Sequence, residues 1–375
     1  MSWESVIGQL RVKKLLQSAI KRDHLAHALL FLGPEGAGQD AVALELAKVL
    51  NCSSHASTAC DHCPDCLQSA EMQHPNVQLI FPLPVGKNEE AGDAPLAKLS
   101  PTELELVREQ LRLKTANPYH MIIIPKATLI KVNSIRAIRR SASMSAFSEG
   151  KKVYIISNAD KMNDEAANAL LKTLEKPLQD TAIILTTANS DQLLPTIVSR
   201  CQRIRFDPLS ESDIRDGLVS HLNLDPEKAE LLAEVAAGSY TRAIELVDAD
   251  LSVYRDEVVD FLRTMLYRSR EELFKAIQDM TDGSDRKEIE RSLIMLQAWF
   301  HDALIAREGV HVRKHLTENT TLRKFIEIHP NADYGKVHEI LSGAISSVNK
   351  NVYIPLILTV LSFKLRTIIL SRSTR

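Results

Sequence analysis

Chemistry on a nucleoside triphosphate needs backbone amides around the phosphates, a lysine that reaches the β and γ phosphates, and a Ser or Thr hydroxyl on Mg²⁺. In this 375-residue chain the stretch Gly33-Pro34-Glu35-Gly36-Ala37-Gly38-Gln39-Asp40 has the two glycines of G-x-x-x-x-G-K-[ST] at Gly33 and Gly38. Gln39 stands where the lysine belongs and Asp40 where the hydroxyl belongs. Gln39 carries no charge, and Asp40 would set a carboxylate beside a polyphosphate. Backbone amides at a helix N-terminus still hold an anion weakly. A similar loss recurs downstream: the apolar run Val153-Tyr154-Ile155-Ile156 leads into Ser157 and Asn158. An ATPase carries there the Asp that helps hold Mg²⁺, usually followed by the Glu that polarises water. Asp160, two residues on, reads either as a turn or helix-start residue or as a displaced metal ligand. Gly33 to Asp40 therefore has two readings, a glycine turn that was never a nucleotide site and a vestigial phosphate loop.

A second constellation is built from thiols. Cys52 precedes Cys60-Asp61-His62-Cys63-Pro64-Asp65-Cys66, so four of the five cysteines lie within fifteen positions. Two-residue spacers let successive sulfurs converge on one ion, and Zn²⁺ held by four thiolates is the natural occupant. Buried free thiols or disulfides are the alternatives, the latter disfavoured in a reducing cytosol. His55 and His62 rank behind the thiolates as ligands. With no further group for chemistry, the cluster reads as a structural clip. A third set is cationic: Arg136, Arg139 and Arg140 share one helix face, with Lys131 just before it. The set reads as a phosphate-contacting stripe or as a plain solvated face. A formal net charge of -2 gives no global attraction to nucleic acid, so any DNA contact must be local.

The elements that must position these groups follow from periodicity. Apolar runs predict strands at Ala28–Leu32, Val77–Phe81, Val153–Ser157, Ala182–Thr187 and Arg203–Phe206, alternating with helical patterns. That alternation argues a parallel sheet with helices on both faces, an α/β class. Helices are expected from Gln9 through Ile20, over 41–50 after the loop, over 132–144, and from Asn163 to Glu175, stopping before Pro177. Residues 82–100 look like a flexible surface insertion, and Ser100-Pro101-Thr102-Glu103 has the form of a capping box opening a helix to about Leu113. After Pro208 the pattern is all helical, with starts at Ser210, Asp225-Pro226 and Thr241 and a stop at Gly238. The later helices carry apolar stripes such as Ile289, Leu293, Leu296 and Phe300, and Leu356 to Ile369. The expected domains are 1–208 (cysteine insertion about 51–67, extra insertion about 82–116), a helical lid over 209–250 and an oligomerising helical unit over 251–375. The start of the chain has no secretory pattern, and Val352 to Leu370 is interrupted by Pro355, Lys364 and Arg366. A cytoplasmic protein without a membrane span is expected.

Several local patterns together resemble one family. They are Trp3-Glu4-Ser5-Val6-Ile7-Gly8-Gln9, His27-Ala28 before the first strand, the Gly33–Asp40 loop, the CxxCxxC insertion, Asn168-Ala169-Leu170-Leu171-Lys172-Thr173-Leu174-Glu175-Lys176-Pro177, and Ser199-Arg200-Cys201. These resemble bacterial clamp-loader subunits of the AAA+ class, over about residues 1–250 and only loosely beyond. The resemblance implies an AAA+ domain with a zinc insertion, a helical lid and an all-α C-terminal collar. It implies Cys52, Cys60, Cys63 and Cys66 as structural Zn²⁺ ligands and Arg200 as an arginine finger acting in trans on a neighbour's ATP, where the alternative is a salt bridge tying strand to helix. Arg242 matches a second sensor arginine. With Gly33, Gly36, Gly38, Gln39 and Asp40 as a vestigial loop, the resemblance implies a member without ATPase activity of its own. The partners so implied are ATPase subunits and a delta subunit in a hetero-pentamer, and through the complex a sliding clamp and primed DNA. Polymerase activity would reside in other subunits. The competing readings are a divergent active ATPase that recruits Asp160, and a zinc-dependent nucleic-acid-binding module without an ATPase partner. Passive nucleotide binding stays open.

Overall fold

The computed structural model describes residues 2–54, 56–90, 92–142, 150–176, 180–247, 251–282, 286–307, 319–349 and 352–370. The chain opens with a short 3-10 turn, Ser2–Ser5, and then α1 (Leu10–Lys21), β1 (Ala28–Leu32), α2 (Gln39–Asn51) and α3 (Pro64–Ala70). β2 (Val77–Ile80), α4 (Pro101–Ala116), α5 (Val132–Ala142), β3 (Lys152–Ile156) and α6 (Asp164–Glu175) follow. β4 (Thr181–Thr187), α7 (Pro195–Val198) and β5 (Gln202–Arg205) complete the sheet. The helical remainder is α8 (Glu211–Leu222), α9 (Pro226–Val235), α10 (Tyr240–Glu245), α11 (Leu251–Tyr267), α12 (Arg270–Thr281), α13 (Arg286–Arg307), α14 (Asn319–Ile328), α15 (Tyr334–Asn349) and α16 (Ile354–Leu370). His55, Pro177 and the expected end of the 132–144 helix lie outside the described residues.

All five strands pair in parallel in the order β2-β3-β4-β1-β5. Every residue of β3 and β4 is buried, as strands covered on both faces require. Leu30, Tyr154, Ile156, Ile183 and Leu185 pack with Ile135 and Ile138 of α5 and Leu170 and Leu174 of α6 in one core cluster. β5 is an edge strand, and only Ile204 of its four residues is buried. Local signals set the helix ends. Ser100 and Glu103 form the reciprocal capping box at α4, and the Asn163 side chain accepts from the Ala166 N–H at α6. The 82–100 segment is not the loose surface insertion that its composition suggests. Leu83 and Leu99, at the two ends of its polar stretch, bury against Phe81, Val107 and Ile124 in a small core of their own.

The chain divides into two compact units, Met1–Asn223 with Ala236–Ile244, and Leu224–Val235 with Glu245–Arg375. Of the 209–250 stretch, α8 and nearly all of α10 belong to the first unit and α9 to the second. In the second unit α13 packs against α15, α11 and α14, and α16 against α15, α11 and α12. The α13 stripe Ile289, Leu293, Leu296 and Phe300 is buried, and Trp299, Phe300, Phe325 and Tyr334 form an aromatic cluster. No helix among the described residues is long and apolar enough to cross a membrane.

Candidate functional site

The phosphate-type loop joins β1 to α2 with Gly36 at φ 78° and Gly38 at φ 99°, conformations that favour glycine. Its interior is filled by the chain itself. The Gln39 side-chain amide donates to the carbonyls of Gly33 (2.7 Å) and Pro34 (2.9 Å). The Gln9 amide donates to the Ala37 carbonyl, and the Tyr240 N–H to the Gly36 carbonyl. A Cβ at Gly36 would fall 1.9 Å from Ser239 Oγ, so α10 closes directly over the loop. Tyr119 completes the cover: its ring meets Tyr240 edge-on, its carbonyl accepts from Thr241 Oγ1, and its hydroxyl accepts from the Ile7 N–H (2.7 Å).

Asp40 explains the downstream losses. Its Oδ2 accepts from Lys114 Nζ (2.9 Å) and Ser157 Oγ (2.7 Å), and its Oδ1 from Thr186 Oγ1 (2.6 Å). Burial by itself would raise this carboxyl, but the Lys114 ammonium and the two hydroxyls outweigh it and hold it below its ordinary value. Lys114, on the last turn of α4, is buried and donates also to the His120 carbonyl (2.8 Å). An ammonium from the insertion thus sits against the carboxylate at the hydroxyl position of the loop, and the strand-end Ser157 joins the same network. Neither Lys114 nor Tyr119 stood out in the sequence, because their partners lie across the fold. Asp160 is occupied elsewhere, its Oδ1 accepting from Thr187 Oγ1 (2.6 Å). Asn158 takes a left-handed turn at φ 54°.

The Sγ atoms of Cys52, Cys60, Cys63 and Cys66 all lie within 4.8 Å of one another, and those of Cys60 and Cys66 are 3.9 Å apart. A tetrahedral Zn–S distance of about 2.3 Å puts sulfurs roughly 3.8 Å apart, so the four thiols could hold a metal ion of that kind. The Cys60, Cys63 and Cys66 N–H groups donate to the sulfurs of Cys52, Cys60 and Cys63 respectively. Such donors favour thiolate: Cys63, despite its burial, is brought down to about 6 by hydrogen bonds from Ser53 and Cys66. His62 turns its Nδ1 to the Cys60 carbonyl. The insertion is tied to its surroundings by Lys48, which pairs with Glu45 and Asp61, and by Trp3 Nε1, which donates to the Ser57 carbonyl. Cys201 stands apart, its thiol pushed up to about 11 by burial.

Arg200 follows α7 with its guanidinium on the Thr196 carbonyl (2.9 Å) and Glu175 Oε1 (3.0 Å). In the chain by itself it makes the salt bridge that joins the end of α7 to the end of α6, and its side chain stays 37% exposed. Arg242 reaches the Ala236 carbonyl from within α10. The basic stripe is smaller than its sequence suggests. Lys131 is buried, pairing with Glu89 (2.7 Å) and donating to the Pro95 carbonyl, so it is withdrawn from solvent. The residues of the 82–100 segment that fold back over α5 cause this, for Glu89 also accepts from Asn133. Arg136 pairs with Glu165, Arg140 donates to the Gly92 carbonyl, and Arg139 is exposed.

The profile of the family described as DNA polymerase III, delta subunit matches residues 8–210. DNA polymerase III subunit delta' of Bacillus subtilis (strain 168) is 31% identical over 312 residues, covering 82% of this chain and 81% of that protein. Subunit delta' of Pseudomonas aeruginosa is 29% identical over 244 residues, 64% of this chain and 62% of that protein. Subunit tau of B. subtilis is 26% identical over 259 residues, and the matched part spans 38% of that longer protein. Among solved structures, the Thermotoga maritima RuvB Holliday junction branch migration motor covers 82% of this chain and 84% of its own at 17% identity and a TM-score of 0.39.

Proposed function

This chain belongs to the DNA polymerase III delta-subunit family of clamp-loader proteins, and we propose that within such a complex it is the subunit that does not hydrolyse ATP itself. Its part is to help load a sliding clamp onto primed DNA and to present Arg200 to ATP held by a neighbouring ATPase subunit. The observation that carries this reading is the filled loop. Gln39 is spent on the carbonyls of Gly33 and Pro34, and Asp40 is already neutralised by Lys114. An added Mg²⁺-polyphosphate would have to displace both, and would find Ser157 in place of a metal-binding carboxylate. Nucleotide binding, even passive, is therefore not expected. Asp160, engaged by Thr187, is a poor candidate for recruitment to a metal.

Arg200 suits a role in trans because a guanidinium is permanently charged and grips phosphate oxygens as a fork. Its partner here, Glu175, is about half exposed, and such a surface pair is worth about 0–1 kcal/mol, so the arginine is easily released to a phosphate. Zn²⁺ at Cys52, Cys60, Cys63 and Cys66 serves as a structural clip on the insertion. Arg136, Arg139 and Arg140 remain the DNA-contact candidates. The proposed organisation is 1–208, 209–250 and 251–375, in a cytoplasmic hetero-pentamer with ATPase and delta subunits.

Reconstitution tests this. Adding the protein to its ATPase subunits should raise DNA- and clamp-stimulated hydrolysis, and Arg200→Ala should remove most of that gain while gel filtration shows the complex intact. Trans arginines contribute about 10³–10⁵ in rate at the site they face. The total loss is smaller where other sites keep their own fingers. Equal stimulation by the variant would sink the assignment, and Mg²⁺-dependent hydrolysis by the isolated wild-type protein would sink the non-hydrolysing reading.

A further inference from the structure

The sheet ends at β5, on a side that none of the groups above uses. The Phe206 N–H donates to the Leu32 carbonyl (2.7 Å), so in this parallel pair residues 202, 204 and 206 turn their backbone groups to β1. Those of Arg203 and Arg205 point outward. Between that edge and α1 lies a cleft of about 510 Å³ lined by Arg11, Leu15, Arg203, Ile204, Arg205 and Asp207. One outward group is already taken, the Arg205 carbonyl, by the Arg11 guanidinium. Arg203 and Arg205 are exposed, and among the described residues neither has a carboxylate within ion-pair distance. Among the described residues the one carboxylate within ion-pair distance of Arg11 is Asp207 at 3.4 Å, a solvated contact worth little. Lys14, three residues after Arg11 and so on the same side of α1, is exposed as well. A chain with a net charge of -2 has gathered cations around an unpaired strand edge.

Open edges invite strand addition, and charge on them selects the partner. We propose that this cleft docks an extended acidic peptide with apolar residues at alternate positions, added to β5 as a sixth strand. Arg203 and Arg205 project on one face by the two-residue period and would meet its carboxylates. The outward Arg203 N–H and carbonyl and the Arg205 N–H take its backbone, and Leu15, 39% exposed, takes its apolar side chains. A nucleic-acid strand fits less well. Among the described residues no aromatic side chain lines the cleft for base stacking, and phosphates, which carry no donor, leave the Arg203 carbonyl unsatisfied.

The test uses the full chain and a fluorescein-labelled peptide of about ten residues alternating Glu and Val, at the upper end of usual strand lengths. Anisotropy at low salt should give saturable binding, weakened about tenfold or more by the double substitution Arg203→Ser and Arg205→Ser, as loss of two charge-assisted contacts requires. Hydrogen exchange should show the Arg203 and Arg205 amides slowing when the wild-type protein is saturated. The proposal is overturned by no saturable binding, by equal binding of a Lys–Val peptide, or by an undiminished affinity of the double variant. Tighter binding of labelled oligo(dT), lost in that variant, would equally overturn it in favour of nucleic acid.

Discussion

Replacing Lys114 by methionine isolates the contact that closes the loop. The substitution keeps the length of the side chain and deletes the ammonium, leaving Asp40 with the Ser157 and Thr186 hydroxyls and no cation. Removing one partner of a buried pair costs about 3–5 kcal/mol. Asp40 retains 23% exposure and two hydrogen bonds, so a loss of about 2–3 kcal/mol from the first unit is expected. The chain divides into two compact units, and two-state unfolding is not assured for such chains, so the readout must be local. Trp3 is the only tryptophan of the first unit and Trp299 the only one of the second, so urea unfolding in a Trp299→Phe background reports the first through Trp3. The sign of the pH dependence is fixed. The wild-type carboxyl lies below its ordinary value, so its contribution is present above the unfolded value of about 3.9 and is lost as pH falls through the folded one. Without Lys114 the burial remains and pushes the carboxyl up. The deficit of the variant is therefore largest at neutral pH and shrinks toward pH 4, where a protonated Asp40 needs no cation. Adding Asp40→Asn to Lys114→Met should recover part of the loss, a coupling of about 1 kcal/mol or more. A deficit under about 0.5 kcal/mol at pH 7.5, or one equal at pH 4.5 and 7.5, would refute the pairing as the cause.

Two further outcomes are expected. Metal analysis of protein purified without added chelator should find about one zinc per chain, and Cys63→Ser should lose it. Chelation should shift Trp3 emission, since the Trp3 indole is hydrogen-bonded to the insertion at Ser57; full occupancy in the Ser variant would contradict the four-thiolate site. In the second unit Asp302 is buried on α13, with one carboxylate oxygen unpartnered among the described residues. Burial, with Glu234 as a lesser cause, pushes its carboxyl up to about 7. The folded unit thus keeps a proton that the unfolded chain releases above about pH 4, so its stability falls as pH rises from there to about 7. Asp302→Asn should flatten that fall and add about 1–3 kcal/mol at pH 8, read by Trp299 fluorescence in urea.

Much of the first unit was legible in residue order because its signals are local. The capping box at Ser100 and Glu103, the Asn163 cap and the continuous apolar runs of β3 and β4 each act within a few residues. The four-cysteine spacing was legible for the same reason. What escaped depends on pairs far apart along the chain. Lys114 meets Asp40 and Tyr119 meets Ile7 only once the insertion has folded over the sheet. Lys131 has the look of a surface cation until Glu89 is brought onto it. The polar composition of 82–100 hid two anchors, Leu83 and Leu99, whose burial depends on helix α4. β5 was expected as one more strand, and its place at the edge follows from strand order, which local pattern does not encode.

The Lys114–Asp40 contact also bears on how this subunit senses its surroundings. A diffusing ligand fills a site in proportion to its concentration, whereas a group tethered on the same chain acts at an effective concentration of about millimolar or above, whatever the cell contains. The cation at Asp40 is supplied in this second way. Under the proposed reading, in which the loop takes no nucleotide, the arrangement of loop, insertion and α10 would be insulated from the ratio of ATP to ADP, and the surface carrying Arg200 would belong to a body whose state does not follow the energy charge of the cell.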